Sequence, residues 1–89
     1  HKADATDTAQ QIYLTLPPAT GLQLRQLEWA PDNGITAVTV AGQRIEFGTG
    51  EKLERKIKVV QSLVQQFQQS NRQWSILDVR STERPSVVR

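Results

Sequence analysis

Cysteine and methionine are both missing from the 89 residues, and histidine occurs once, at position 1. Without a thiol there is neither a disulfide framework nor a thiolate metal site. A lone terminal imidazole is expected to be a remnant of a tag or linker rather than a ligand, and a chain with no methionine reads as an excised fragment of something longer. Long apolar runs are missing as well. Nothing approaches the roughly 20 residues of a membrane span, and no basic start leads into an apolar core as in a signal peptide, so any such segment is expected outside the fragment. A chain this short has room for one domain with a modest core, which argues against elaborate active-site architecture.

Charge of both signs is present: eleven Lys and Arg face nine Asp and Glu, for a net charge of +2. The acids and bases are interspersed, which permits an anionic partner without pointing to nucleic acid. Gly48-Thr49-Gly50-Glu51-Lys52 has a passing likeness to a phosphate loop. It lacks the spacing of a Walker motif. With no nucleophile and base pair, no metal-ligand set and no phosphate loop, an enzyme is not expected, and neither catalytic residues, a metal nor a cofactor is assigned.

Residues 1–11 are polar and without a sustained period, which predicts a flexible tail or linker ahead of a single α+β domain over 12–89. Ile12, Leu14 and Leu16 alternate with Tyr13 and Thr15 before Pro17-Pro18, which predicts a short strand. Leu22 and Leu24 share one parity and Leu27 and Trp29 the other, so a bulge or bend is expected near Arg25. Asp32-Asn33-Gly34 tolerates positive φ and is followed by the β-branched run 35–40, a hairpin signal. Ala41-Gly42 permits a second turn into 43–47, with Ile45 and Phe47 on one face and Arg44 and Glu46 on the other.

The period then changes. Leu53, Ile57, Val60, Val64 and Phe67, with Leu63 beside them, form a helical stripe. Thr49 is expected as N-cap, Glu51 in the first turn, and Ser70-Asn71 at the end. Glu51 with Arg55 and Glu54 with Lys58 have the favourable i,i+4 spacing. Strand character resumes at Trp74 to Arg80, where Leu77 and Val79 are expected to face the helix, and Pro85 precedes a last short strand at Ser86 to Val88. The order β-β-β-β-α-β-β predicts a mainly antiparallel mixed sheet with one long amphipathic helix packed on one face.

Phe47-Gly48 leading into a Lys52-Leu53 helix, the strand Leu77-Asp78-Val79-Arg80, and a link to a final strand at Pro85-Ser86-Val87-Val88 resemble the β domain of the FtsQ/DivIB bacterial cell-division proteins. The resemblance runs from about Ile12 to Val88. The family's usual aromatic or glycine-rich link after the Arg is replaced by Ser81-Thr82-Glu83-Arg84-Pro85. The resemblance implies a non-enzymatic domain of a divisome scaffold, held at the inner membrane of the division septum by a segment outside this fragment, with the domain extracytoplasmic. It also implies FtsB and FtsL as partners, met by the last part of the sheet and the adjoining helix, with Arg80 facing partner acids.

Ser86 to Val88, at or near a sheet edge, can accept an added strand, and Arg80 would set the register through a charge-assisted bond. The residues expected at the partner surface are Arg80, Ser81, Thr82, Ser86, Val87, Val88 and Lys56. A simpler role for Arg80 is pairing with Asp78 or Glu83. The alternative function is a nucleic-acid-binding or generic adaptor module using Lys52, Arg55, Lys56, Lys58, Arg72, Arg80, Arg84 and Arg89. Against it, the aromatics Tyr13, Trp29, Phe47, Phe67 and Trp74 fall mostly at core-facing phases, not interleaved with the bases. Trp74 is equally suited to capping the core and to anchoring a partner.

Overall fold

A central hairpin organises the fold. In the computed structural model, which describes residues 2–32, 34–81 and 83–88, the chain runs α1 (Lys2–Thr20), β1 (Leu24–Ala30), β2 (Gly34–Thr39), β3 (Arg44–Gly48), α2 (Leu53–Gln69), β4 (Ile76–Asp78) and β5 (Ser86–Val88). The five strands lie in one sheet in sequence order, antiparallel except for the parallel pair β3 and β4. The α2 crossover makes that parallel pairing possible, since two parallel neighbours need a long connection. The fold class is the expected α+β mixed sheet with the long helix packed on one face, and a second helix precedes the strands.

Helix α1 corrects the expected strand at Ile12 to Leu16. Ile12 and Leu16 are fully buried, whereas Leu14 is 69% exposed, which a strand with all three on one face would not allow. The buried residues Thr8, Ile12, Leu16 and Thr20 recur every fourth position, the stripe of a helix packed along one side. The segment 2–11, read from sequence as a tether, lies in the same helix. Pro17 and Pro18 sit inside it rather than ending it. They remove the donors that the Tyr13 and Leu14 carbonyls would use, and both of those residues are exposed to water. The helix ends at Thr20, whose Oγ1 donates to the Leu16 carbonyl at 2.7 Å, and the Gly21 N–H donates to the Pro17 carbonyl at 2.7 Å.

The β1–β2 pairing shifts register between Leu24 and Gln26, the expected bulge at Arg25, which turns Leu24 and Leu27 to the same side. Asn33 of the predicted turn lies outside the described residues. Gly34 adopts φ +75°, and a Cβ there would collide with the carbonyl of Gly48 on the neighbouring strand, so the hairpin and β3 approach too closely for any other residue.

Helix α2 buries Leu53, Lys56, Val60 and Val64. It begins differently from the prediction: Lys52, at φ 57°, is the N-cap, no side chain caps the helix, and Thr49 and Glu51 lie in the preceding turn. Neither i,i+4 pair is closed; among the described residues the ion pairs are Glu28–Arg44 and Asp78–Arg80. The C-terminus follows expectation. Asn71 takes φ 56°, its N–H bonds the Gln68 carbonyl and the Arg72 N–H bonds that of Phe67, the paired bonds of a Schellman ending.

Ile35, Ala37, Ile45, Phe47 and Leu77 of the sheet form one core with Ile12, Leu16, Leu53, Val60 and Val64 of the two helices. The opposite sheet face carries a cross-strand row of Glu28, Thr36, Glu46, Asp78 and Ser86, each opposite the next. Trp74 is buried at the start of the β4 segment, where its carbonyl accepts a bond from Gln43 Nε2 at 3.1 Å, so it caps the core.

Candidate functional site

The end of β4 brings together the residues singled out for partner contact. Leu77 and Val79 are fully buried, which by alternation turns Asp78 to the opposite face. Val79 makes the last ladder contact, its N–H donating to the Glu46 carbonyl at 3.0 Å, and the chain then folds back at Arg80. The Arg80 N–H and Nε both donate to Asp78 Oδ1, at 3.1 and 3.0 Å, while Nη2 donates to Oδ2 at 2.8 Å. Three donors from one residue thus converge on one carboxylate, a fork geometry specific to arginine.

This contact lowers the Asp78 pKa, chiefly through the side-chain bond from Arg80, and raises that of Arg80 for the reciprocal reason, with Glu46 adding a smaller attraction. The Arg80 side chain remains 45% exposed. Its aliphatic stem crosses Gly48, where an added Cβ would stand 3.0 Å from Arg80 Cγ and where φ is +75°. The glycine after Phe47 is therefore the seat of this arginine.

Beyond it, Ser81 and Ser86 are exposed, Val88 is 52% exposed, and Val87 is half-buried against the core. Thr82 lies outside the described residues. Because β5 ends the sheet, its outer edge pairs with no other described strand. The orientation of that edge follows from the ladder. The Ser75 carbonyl accepts from Arg44 and the Val79 N–H donates to Glu46, so Leu77 between them turns its backbone groups to β3, while the Ser75 N–H, just ahead of β4, donates to the Val88 carbonyl of β5. Ile76 and Asp78 then face β5, pairing with Val88 and Ser86. By the same alternation the N–H and carbonyl of Val87 point to the open edge.

Lys56 meets this surface only through the cleft that it lines with Arg80 and Ser81. It is 4% exposed, on the buried stripe of α2, and its Nζ donates to the Thr49 carbonyl at 2.9 Å. Burial is the largest influence on its pKa, which is lowered, with Glu51 opposing and Lys52 reinforcing the shift. The missed signal was its phase: 53, 56, 60 and 64 step by three, four and four, so the apolar stripe passes through a lysine. Its burial also withdraws one cation from the expected basic helix face. Of the aromatics, Phe47 and Trp74 are buried and Phe67 is half-buried, while Tyr13 and Trp29 are about half exposed on α1 and β1.

Two adjoining clefts open beside the β3–α2 turn, of about 820 and 230 Å³, and both are lined by Thr49, Glu51, Lys56 and Arg80. Among the described residues no three His, Cys, Asp or Glu are grouped to hold a metal ion. No described helix is long and apolar enough to cross a membrane.

A mixed sheet backed by a crossover helix, ending in an acid-clamped arginine and an open edge strand, defines the type of module. The sequence model of the family described as "Cell division protein FtsQ/DivIB, C-terminal" matches residues 1–80, and the chain belongs to that family. It is thus a domain of a divisome protein, and the match ends on Arg80, ahead of β5. No curated protein matches the chain.

Proposed function

We propose that this domain is a non-enzymatic docking module of the cell-division machinery, working on the extracytoplasmic side of the inner membrane at the septum. It takes up an FtsB- or FtsL-like partner by adding a partner strand to β5. The observation that carries this reading is that β5 ends the sheet, which by alternation along the β4–β5 ladder leaves the N–H and carbonyl of Val87 outward. An extended peptide laid there gains backbone bonds at Val87, and its alternate side chains meet exposed Ser86 and Val88. Ser81 and Thr82 border the same edge in sequence. Arg80 lies just past the end of β4, and its partly exposed guanidinium attracts a partner carboxylate, which fixes register. Pro85 and the charges of the preceding link keep so short an edge from indiscriminate pairing.

Co-purification of the chain with the extracytoplasmic segments of FtsB and FtsL tests the reading. The parent should retain a partner. Val87→Pro, which removes the outward donor and leaves the β4-facing groups of Ser86 and Val88 in place, should lose it while its circular dichroism is unchanged. Equal retention by both chains would overturn strand addition at β5.

A further inference from the structure

We propose that the outer edge of β1 pairs with the same edge of a second copy of this chain, joining the two sheets about a two-fold axis. β1 ends the sheet on the side away from β5, and its seven residues make it the longest of the described strands. An edge of that length presents a row of backbone groups, and the bulge at Arg25 interrupts only its start. The bonds show which groups are outward. Thr39 turns its N–H to the Gln43 carbonyl at 2.8 Å and its carbonyl to the Gly42 N–H at 2.9 Å, both on the β3 side, while the Val40 N–H donates to the Gln23 carbonyl at 2.9 Å. By alternation Val38 and Thr36 face β1, where they pair with Gln26 and Glu28, so Leu27 and Trp29 turn their backbone groups to the open edge.

Apolar exposure concentrates at the same end of the sheet. Of the exposed large apolar side chains among the described residues, Tyr13 and Leu14 lie on α1, Trp29 on β1 and Val40 at the end of β2 that bonds Gln23, which leaves only Val88 elsewhere. Helix α1 packs against β1 and β2, so a two-fold axis normal to the joined sheet sets both α1 helices on one side of the junction. The side chains select the partner and the register. An antiparallel pairing centred on Leu27 overlaps the whole strand, sets Leu27 against Leu27, and puts Gln26 opposite Glu28 at two places, an amide donor against a carboxylate. The two groups already suit each other, since within one copy Gln26 Nε2 donates to Glu28 Oε2 at 2.8 Å. Arg25, exposed and in no ion pair among the described residues, stands next to Gln26 and brings a cation beside the same carboxylate. Glu28 pairs with Arg44 in its own copy, yet its side chain is 42% exposed and open to a second donor. Centring on Glu28 would oppose two carboxylates, and centring on Trp29 would pair only residues 28–30. The pairing leaves β5 of each copy at a far end of the joined sheet, so this inference stands whether or not a strand adds to β5.

The test is sedimentation velocity of the full 89-residue chain from about 10 μM to about 1 mM, the range of a small interface, with amide hydrogen exchange read at both ends. The chain should pass from monomer to dimer. In the dimer the Leu27 and Trp29 N–H groups should become protected, while those of Gln26 and Glu28, bonded toward β2, change less. Gln26→Glu alters an exposed side chain, sets carboxylates opposite each other at two places, and should weaken dimerisation roughly tenfold. Adding Glu28→Gln to that variant should restore the parent's dimerisation, and Val87→Pro alone should dimerise like the parent. A monomer throughout, a dimer whose Leu27 and Trp29 exchange at their free rates, or an undiminished dimer in Gln26→Glu overturns the proposal. So does a monomer in which those two amides are protected only when the partner segments tested on β5 are added, since the edge then belongs to another protein.

Discussion

Asp78 and Arg80, two residues apart at the exit of β4, are locked together by three hydrogen bonds between 2.8 and 3.1 Å. The contact holds the Asp78 carboxyl below its ordinary value of 3.8. A carboxylate whose folded pKa is depressed contributes stability above its unfolded pKa and loses it as the pH falls through the folded value. Carboxyl-resolved NMR should show Asp78 titrating below 3.8, and Asp78→Asn should be less stable than the parent at neutral pH but equal to it once both carboxyl states are protonated. The pair is partly solvated, so the difference should stay below about 1 kcal/mol in chemical denaturation.

The period of α1 can be checked with two alanines. Ile12→Ala removes a fully buried side chain and should cost about 2 to 5 kcal/mol. Leu14→Ala removes one that is 69% exposed and should lie within about 0.5 kcal/mol of the parent. Equal losses would restore the strand reading of this segment.

Gly48 supports the arginine through an absent side chain. Gly48→Ala adds a methyl to a residue at φ +75° and presses it on Arg80 Cγ, so stability should fall by about 1 to 2 kcal/mol. The same variant should move the Asp78 titration back toward its ordinary value, because the guanidinium is displaced from the carboxylate.

Arg80→Glu should act on binding through charge. A partner acid that the guanidinium attracts is repelled by the new carboxylate, and the loss should reach roughly 2 kcal/mol by calorimetry where the contact is desolvated. The fold should survive, since the Arg80 side chain is largely outside the core.

Much of this architecture was legible in the residues. The bulge at Arg25, the hairpin before Ile35, the inward phase of Leu77 and Val79 and the short last strand all rest on local periodicity, and local periodicity decides them. Helix α1 was not legible for a physical reason: over five residues Ile12 and Leu16 satisfy both a twofold and a fourfold repeat, and only the exposure of Leu14 separates them. The paired prolines added a false stop, since nothing local says that the freed carbonyls meet water. At the site, Asp78 and Arg80 were readable as a pair, and pairing is what they do. Lys56 was misplaced because its residue type argues for solvent while its phase argues for the core, and phase prevailed. The seat that Gly48 provides for Arg80 depends on a contact between positions 32 apart in sequence (80 − 48), which no local pattern encodes.

Amide hydrogen exchange at Val87, with and without the FtsB or FtsL extracytoplasmic segment, bears most directly on strand addition at β5. The outward N–H of an edge strand exchanges quickly when it bonds only water and slowly when a partner carbonyl accepts it. Binding should protect Val87 by at least roughly tenfold and leave the inward N–H groups of Ser86 and Val88 less changed. A partner that binds while Val87 exchanges at its free rate would place the contact elsewhere and contradict the mechanism.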